Sequence, residues 1–571
     1  MKKVIALVLS AMMVLSLAAC GSSSSETTTT AAAESGDTTA AAEAEETTAE
    51  ETTTAAAEIT TEEELEINYD SEIIVGVSAD IGSMNQFGAS SSGVAMKKLL
   101  CYETLFFMDS ENEIQPLIAK SYEDKGNGTY EVTLFDYVTD SQGNPFTAND
   151  VVFSIDQLFT QSTQSDLWTT ITDYSAIDDY TFSITVDPEM TGQIDNIFTR
   201  VSMITEAAYN SSADQMATEP IGTGGYVLDT ANSITGSSYV FTRRDDYWQT
   251  DEEYLTERNT NYVKTITCKV YADTATLAAA LQAGEIDFTS DLETNGLSFF
   301  MTGTEVNDGY IQMTGENNAF VHLMFNCAES SPCSDINLRQ AICYAIDAAG
   351  CAYTVYGDFG KVCSAPTNPN LADSGEQFNY EEYFGYVEGT DTAEICSDVE
   401  KAKECLEASN YNGEDIGILV LPRTTVSASE VLIVSYLEAV GITAHTIDYD
   451  MSTYRTVRTA AEPEYDIELL GATTGDTYVY SSVKELNNET YGTGLSRVMV
   501  EDDKLQELYE AVAGQDTDSE EAVQELFDYI TDQCYIYGLY YCDKTLIGKD
   551  TIKAGKTIPF FGPLFNSFVI E

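Results

Sequence analysis

The sequence predicts a mixed α/β fold, and three observations predict it. Short β-rich runs with alternating apolar residues recur in both halves of the chain. Helical stretches ended by glycine stand between them, several leading directly into another strand. The length of 571 residues is about four times a typical domain of roughly 150, enough for a large core and more than one lobe.

The first twenty residues stand apart from that fold. Lys2 and Lys3 make a basic start, Val4 to Leu17 is apolar, and Leu17-Ala18-Ala19-Cys20 follows. This pattern resembles a bacterial lipoprotein signal. The resemblance implies that residues 1–19 are a signal peptide, cut before Cys20, whose sulfur carries a diacylglycerol that anchors the chain to the outer face of the cell membrane. Residues 20–68 hold Ser, Thr, Ala and Glu, with thirteen acids, no base and no aromatic. Such a segment buries too little apolar area to offset its ordering. It is expected to be a disordered tether spanning roughly 35 to 40 Å.

Within the body, Ile73 to Val77 reads as a strand and Tyr130 to Phe135 as another. Asp150 to Leu158 reads as a helix with Asn149 as its cap. Ala275 to Leu281 is helical, is closed by Gly284, and is followed by Ile286-Asp287-Phe288 as a short strand. Leu338 to Ala348 and Val399 to Leu406 are amphipathic helices. Ser427 to Val440 is a third, closed by Gly441 before a strand from Ile442 to Ile447. No apolar run in the body reaches the roughly 18 residues of a spanning helix.

Charge narrows the function. Asp and Glu number 95 against 26 Lys and Arg, a net charge of −69, and no basic cluster appears. Nucleic acid, whose binding rests on clustered cations, is excluded as a partner, and acidic membrane surfaces are disfavoured. Twelve cysteines include Cys20, so the body carries an odd number. Cys343 and Cys405 fall on apolar helix faces as small hydrophobes, and a bridge between Cys327 and Cys333 is one pairing open to an exported chain. With no Cys-x-x-Cys and only His322 and His445, a structural zinc site has little support, and no cofactor is expected. There is no Gly-x-Ser-x-Gly elbow and no His-Glu-x-x-His, so an enzyme is not expected. Ala554-Gly555-Lys556-Thr557 lacks the first glycine of a phosphate loop, because Asp550 stands there.

A family pattern then emerges from strings in order. NPFTANDVVFSI at Asn144 to Ile155 is followed by PIGTGGYVL at Pro220 to Leu228, FTRRDDYW at Phe241 to Trp248 and ALQAGEIDF at Ala280 to Phe288. HLMFNC at His322 to Cys327, DINLRQAICYAID at Asp335 to Asp347 and DVEKAKECLEASNY at Asp398 to Tyr411 complete the set. Together they resemble the bacterial extracellular solute-binding proteins of the oligopeptide, dipeptide and nickel class, family 5. Within PIGTGGYVL the glycines read as positions of positive φ before a strand, and Trp248 as a packed loop aromatic. The family pattern carries proline where Gly225 stands, a change expected to loosen the turn.

The resemblance implies a two-lobed periplasmic-binding-protein-like fold with two hinge crossings and an extra subdomain in the first lobe. That lobe would run over 69–320 with the subdomain at about 112–219, the second lobe over 321–539, and 540–571 would return to the first. It implies a monomeric substrate-binding component of an ABC importer, delivering short peptides to the permease. An oligosaccharide or metal complex in the same fold, or an extracellular hydrolase, remains as an alternative. In peptide-binding members the extended ligand adds to backbone edges, and an acid in the second lobe receives its α-amino group. Asp476 matches that acid, with Ala472, Thr473 and Thr474 as the edge and Ser83, Met84 and Asn85 as the opposing wall. The tryptophan such members often carry before the acid is replaced by Gly471, Ala472 and Thr473. Arg455 and Arg458 read either as an anion clamp or as surface arginines.

Overall fold

The computed structural model describes residues 65–87, 94–161, 170–315, 319–363, 365–371, 384, 397–473, 479–486, 497–514, 520–558 and 562–571. Cys20 and the tether up to residue 64 lie outside the described residues. No helix among the described residues is long and apolar enough to cross a membrane.

Two large sheets organise the body. The first has seven strands in the order Tyr310–Gly315, Lys544–Lys549, Phe288–Thr289, Glu72–Val77, Thr265–Val270, Ser238–Arg243 and Tyr226–Leu228. Glu72–Val77 is parallel to both of its neighbours, pairing Glu72 with Thr265 and Val75 with Phe288. Its sequence EIIVGV is buried on both faces in its second half, as an interior parallel strand requires. The second sheet has six strands in the order Lys361–Val362, Ile536–Tyr541, Ala319–Phe325, Ile467–Thr473, Ile416–Val420 and Ala444–Asp448. A third, antiparallel sheet joins Ala119–Gly126, Thr129–Leu134, Thr181–Val186 and Ile171–Ala176, and its inward residues Val132, Phe182 and Ile184 are fully buried in the core of the first lobe.

The chain passes between the large sheets twice, from Gly315 to Ala319 and from Tyr541 to Lys544. The described ends of these passages lie side by side, because Gly315 pairs with Lys544 on one sheet and Phe320 with Tyr541 on the other. The neighbours Asp543 and Lys544 are held from opposite sides. Asp543 binds Lys361 at 2.5 Å and Asn370 at 2.8 Å in the second lobe, whereas Lys544 lies 3.7 Å from Asp291 in the first.

Several local expectations change for identifiable reasons. The helix expected from Asp150 begins at Ala148, so Asn149 is not its cap. Thr147 stands before it, donating from its backbone N–H and its hydroxyl to Asp150 Oδ2, each at 2.8 Å. The helix expected to run through Ala348 stops at Ala345, because Asp347 starts a new helix, Ala348–Tyr356, by accepting from the Gly350 N–H. The stretch from Ser427 divides into a short turn, Thr424–Ser427, and the main helix Glu430–Val440. The strand expected at 286–288 is Phe288–Thr289, with the Asp287 carboxylate taking the Ile74 N–H beside it. The strand expected from Ile442 begins at Ala444.

The glycines of PIGTGGYVL serve close approach rather than positive φ, since Gly222, Gly224 and Gly225 do not adopt one. A Cβ on Gly222 would stand 2.2 Å from the Cys101 carbonyl oxygen, and one on Gly224 2.4 Å from that of Leu100. Gly225 is pressed against the Asn261 side chain, so the turn is tight where loosening was expected. Trp248 is buried, and its Nε1 donates to Glu103 and to the Thr223 carbonyl. Gly555 and Lys556 lie in the strand Ile552–Ile558 of a hairpin, where no phosphate loop can form. Cys327 and Cys333 are free thiols, as are Cys343 and Cys405, both buried.

Gly284 and Gly441 close their helices in the left-handed conformation, as their positions suggest. A Cβ on Gly441 would meet only Leu406, at 3.9 Å. Gly441→Ala therefore isolates backbone strain from packing, and a loss of about 1 kcal/mol is expected by chemical denaturation. No loss would deny the residue its capping role.

Candidate functional site

In open α/β sheets the ligand crevice lies outside the carboxyl ends of the parallel strands. In the first lobe those ends lead to Ser78, Tyr271 and Ser290, and in the second to Leu421, Tyr449 and the end of Ile467–Thr473. Two bonds join the lobes. Asn196 Nδ2 donates to the Tyr480 hydroxyl at 3.2 Å, and the Thr191 hydroxyl donates to the Gly514 carbonyl at 2.7 Å.

Ser83, Met84 and Asn85 follow the carboxyl end of Glu72–Val77, and most of their polar groups turn inward. Asn85 Nδ2 donates to the Gln215 carbonyl and its Oδ1 accepts from the Phe87 N–H. Met84 is buried, with its N–H on the Ala217 carbonyl and its carbonyl accepting from the Tyr102 hydroxyl. Ser83 is half-buried and its hydroxyl accepts from the Asn85 N–H. Beneath the loop lies a residue that sequence reasoning passed over, Lys97 on the helix Val94–Leu100. Its ammonium, with no exposed surface, donates to the carbonyls of Ser83 and Asn85, the latter at 3.0 Å. Burial pulls its pKa down to about 8. The available signal was a lysine set among Met96, Leu99 and Leu100 on one short helix.

In the second lobe, Ala472 and Thr473 end the strand Ile467–Thr473 and pair with Phe320 and Ala319 along one edge. Along the other edge the ladder with Ile416–Val420 ends where Val420 meets Leu469. Among the described residues, the backbone of Gly471–Thr473 thus has a ladder partner on one side only. Thr474 and Asp476 lie outside the described residues.

One guanidinium ties the strand Ile467–Thr473 to the turn Lys484–Leu486. Arg458 Nε donates to Glu468 at 2.6 Å, and its Nη2 donates to both oxygens of Glu485 at 2.8 and 2.7 Å. Glu468 lies on that strand and Glu485 in that turn. Tyr454 adds its hydroxyl to the same Glu468 oxygen at 2.6 Å. Arg458 is therefore neither a surface residue nor a free anion clamp, whereas Arg455 is exposed. Burial raises the pKa of Glu468, with Arg458 opposing. His322 is stacked on Phe320 at 4.4 Å, and burial with the nearby Arg458 pushes it down to about 3, which keeps it neutral. Among the described residues no three His, Cys, Asp or Glu side chains gather as a metal site.

This arrangement is similar to known proteins. The sequence profile of the bacterial extracellular solute-binding proteins, family 5 Middle, matches residues 113–492. The chain is 25% identical over 316 residues to the glutathione-binding protein GsiB of Escherichia coli O1:K1 / APEC, covering 53% of this chain and 57% of that one. It is 27% identical over 347 residues to the "Probable peptide ABC transporter periplasmic-binding protein y4tO" of Sinorhizobium fredii, covering 58% and 61%. The chain thus matches little more than half the length of these curated relatives. Among solved structures, HbpA2 from Haemophilus parasuis superposes with a TM-score of 0.73 at 17% identity, covering 88% of this chain and 100% of that one. DppA from Helicobacter pylori in complex with peptide STSA gives 0.64 at 18% identity, covering 88% and 98%. These likenesses establish the two-lobed binding-protein fold.

Proposed function

The chain belongs to the bacterial extracellular solute-binding proteins, family 5, a transport family, and from that premise we propose that it captures short peptides outside the cell and hands them to an ABC permease. The observation that carries this reading is the backbone of Gly471–Thr473, paired on one edge and lying at the carboxyl ends of parallel strands. An extended peptide adds to such an edge through main-chain hydrogen bonds. The names of the relatives, one glutathione-binding and one a peptide transporter component, support the same ligand class.

In this reading Asp476 receives the ligand's α-amino group, Ala472, Thr473 and Thr474 supply the edge, and Ser83, Met84 and Asn85 form the facing wall largely through backbone. The lobes, 69–320 with 540–571 and 321–539, close over the peptide as a monomer. Cys20 carries the lipid that keeps the tethered body at the membrane. The protein binds its ligand without consuming it.

Calorimetry with a short free-amino peptide tests the assignment. Asp476→Asn keeps the shape and deletes the charge, so affinity is expected to fall about thirtyfold or more, close to 2 kcal/mol. Acetylating the peptide amino group should harm wild type equally and the variant little further, because both changes remove one pair. Equal binding of free and acetylated peptides by wild type would overturn the role of Asp476.

A further inference from the structure

Ten cysteines fall among the described residues, and all are free thiols. Two of them meet in the core of the second lobe. Cys343 lies on the helix Ile336–Ala345, and Cys534 directly follows the helix Glu520–Gln533. Arg339, one turn before Cys343 on the same helix face, ties the two elements together, donating from Nε and Nη2 to the Gln533 carbonyl at 2.9 and 2.7 Å. Cys534 is the next residue. Its thiol donates to the Thr531 carbonyl at 3.4 Å, and its sulfur is hydrogen-bonded to the Cys343 thiol. Both side chains are buried in one apolar cluster. Among the described residues they belong to no metal-binding group of His, Cys, Asp or Glu.

Cys534 also occupies a position that favours glycine. Its N–H donates to the Thr531 carbonyl and the Tyr535 N–H to the Ile530 carbonyl, each at 3.0 Å, the bond pair of a left-handed helix closure. Its φ is 49°, in the region that Gly284 and Gly441 use to end their helices. A Cβ is strained there, so the backbone at 534 tolerates a side chain that glycine would spare it. The two other thiols of this neighbourhood are placed differently. Cys333 presents its carbonyl to Arg339 Nη1 at 2.8 Å, and the Cys327 thiol donates to the Phe325 carbonyl at 3.5 Å.

We propose that Cys343 and Cys534 are joined as a disulfide in the exported protein. The family is extracellular, and outside the cytosol such bonds persist. The oxidant is a disulfide, of a small thiol or of a protein. One cysteine thiolate attacks it, forming a mixed disulfide and releasing one oxidant thiolate; the other cysteine thiolate then attacks the mixed disulfide at the first cysteine's sulfur and releases the second. The two cysteine protons end on the two released thiols, so two cysteines are oxidised and one oxidant disulfide is reduced. Burial pushes the Cys343 thiol far above its ordinary pKa, which makes exchange slow in the folded protein. The bond therefore forms while the chain folds, before the core closes. It closes the chain from 343 to 534, most of the second lobe. Cys534 lies two residues before the strand Ile536–Tyr541, which leads into the second passage between the sheets, so the cross-link anchors that strand in the lobe it leaves. None of this rests on the peptide reading, and its failure would leave that reading untouched.

The test takes the full chain exported by an aerobic bacterial host, alkylates its free thiols with iodoacetamide in denaturant at harvest, and maps the unreduced peptides by mass spectrometry. The expected map holds a cross-linked pair of peptides joining 343 to 534, with Cys327 and Cys333 alkylated. A map without that link, or one joining Cys534 to Cys327, would overturn the proposal. Thermal unfolding gives a second reading. Cys534→Gly relieves the backbone but deletes the link, so without reductant it should unfold about 5 °C or more below wild type. With dithiothreitol present throughout, the order should reverse, because only the relief remains. Cys343→Ala deletes the same link from the other side and should lose a like amount without reductant and less with it. A Cys534→Gly variant that matches or exceeds wild type without reductant would make strain relief the whole effect, and the cross-link would fall.

Discussion

Arg458→Met lowers the free energy of unfolding by about 3 to 5 kcal/mol, because Glu468 is left buried with its charge uncompensated. Two neighbours compound the loss. Glu468 keeps only the Tyr454 hydroxyl, and Glu485 loses its bidentate partner, freeing the chain beyond the proposed ligand edge. The pH dependence has a definite sign. Burial already raises the folded pKa of Glu468 above its ordinary value, and removing the guanidinium raises it further. A group with a raised folded pKa favours the folded state below its unfolded pKa and loses that contribution as pH rises through the folded value. The penalty for Arg458→Met should therefore be larger at pH 8 than at pH 5, as read from urea midpoints with an unchanged slope. Glu468→Gln in the same background should recover part of the loss at pH 8. An equal penalty at both pH values would mean that Glu468 is not charged in the folded protein.

Gly222→Ala is expected to destabilise by about 3 kcal/mol, through backbone collision rather than lost contacts. The added methyl would stand 2.2 Å from the Cys101 carbonyl oxygen and 2.7 Å from the Tyr102 ring. The oxygen belongs to main chain that also accepts the Gly224 N–H at 3.0 Å, so neither strand of the contact is free to retreat. Gly296→Ala is the control, because its new methyl would only touch the Leu292 side chain, at 3.4 Å and beyond. Thermal unfolding should separate the two variants clearly. Equal midpoints would show that the contact opens without resistance.

The elements most legible in the sequence were those decided within a few residues. The Glu72–Val77 strand and the glycines that end two helices need only their own side chains and φ angles to be recognised. Expectations slipped where a partner distant in the chain or a competing cap decided the outcome. Asp347 ended one helix by capping the next, and Asp150 was claimed by Thr147 on one oxygen and by the Glu206 N–H on the other. The glycines of PIGTGGYVL were recognisable as necessary, but their reason, contact with residues 100–102, is invisible to a local window. The ordered family strings announced the fold for the same reason that they did not announce the site: they mark turns and packing. Ser83, Met84 and Asn85 follow the carboxyl end of Glu72–Val77, and the inward turn of their polar groups depends on Gln215, Ala217 and Tyr102. Lys97 was missed because lysine in a helix is ordinarily at the surface, and only the assembled lobe shows otherwise.

The described ends of the two passages between the large sheets act, in mechanical terms, as the paired edges of a strap. Paired residues lock it at both ends, Gly315 with Lys544 and Phe320 with Tyr541. A strap of this kind folds readily across its flat face but strongly resists shear in its own plane, because sliding one edge past the other would break both ladders. Rotation about a single axis is then the soft mode left to the two lobes, and translation is a stiff one. With Asp543 fastened to one lobe and Lys544 to the other, flexure falls on the soft torsions either side of the planar peptide bond between them, ψ of Asp543 and φ of Lys544. Occupancy of the crevice is thereby reduced to one angular coordinate, which a docking surface at the far ends of the lobes would feel amplified by their length.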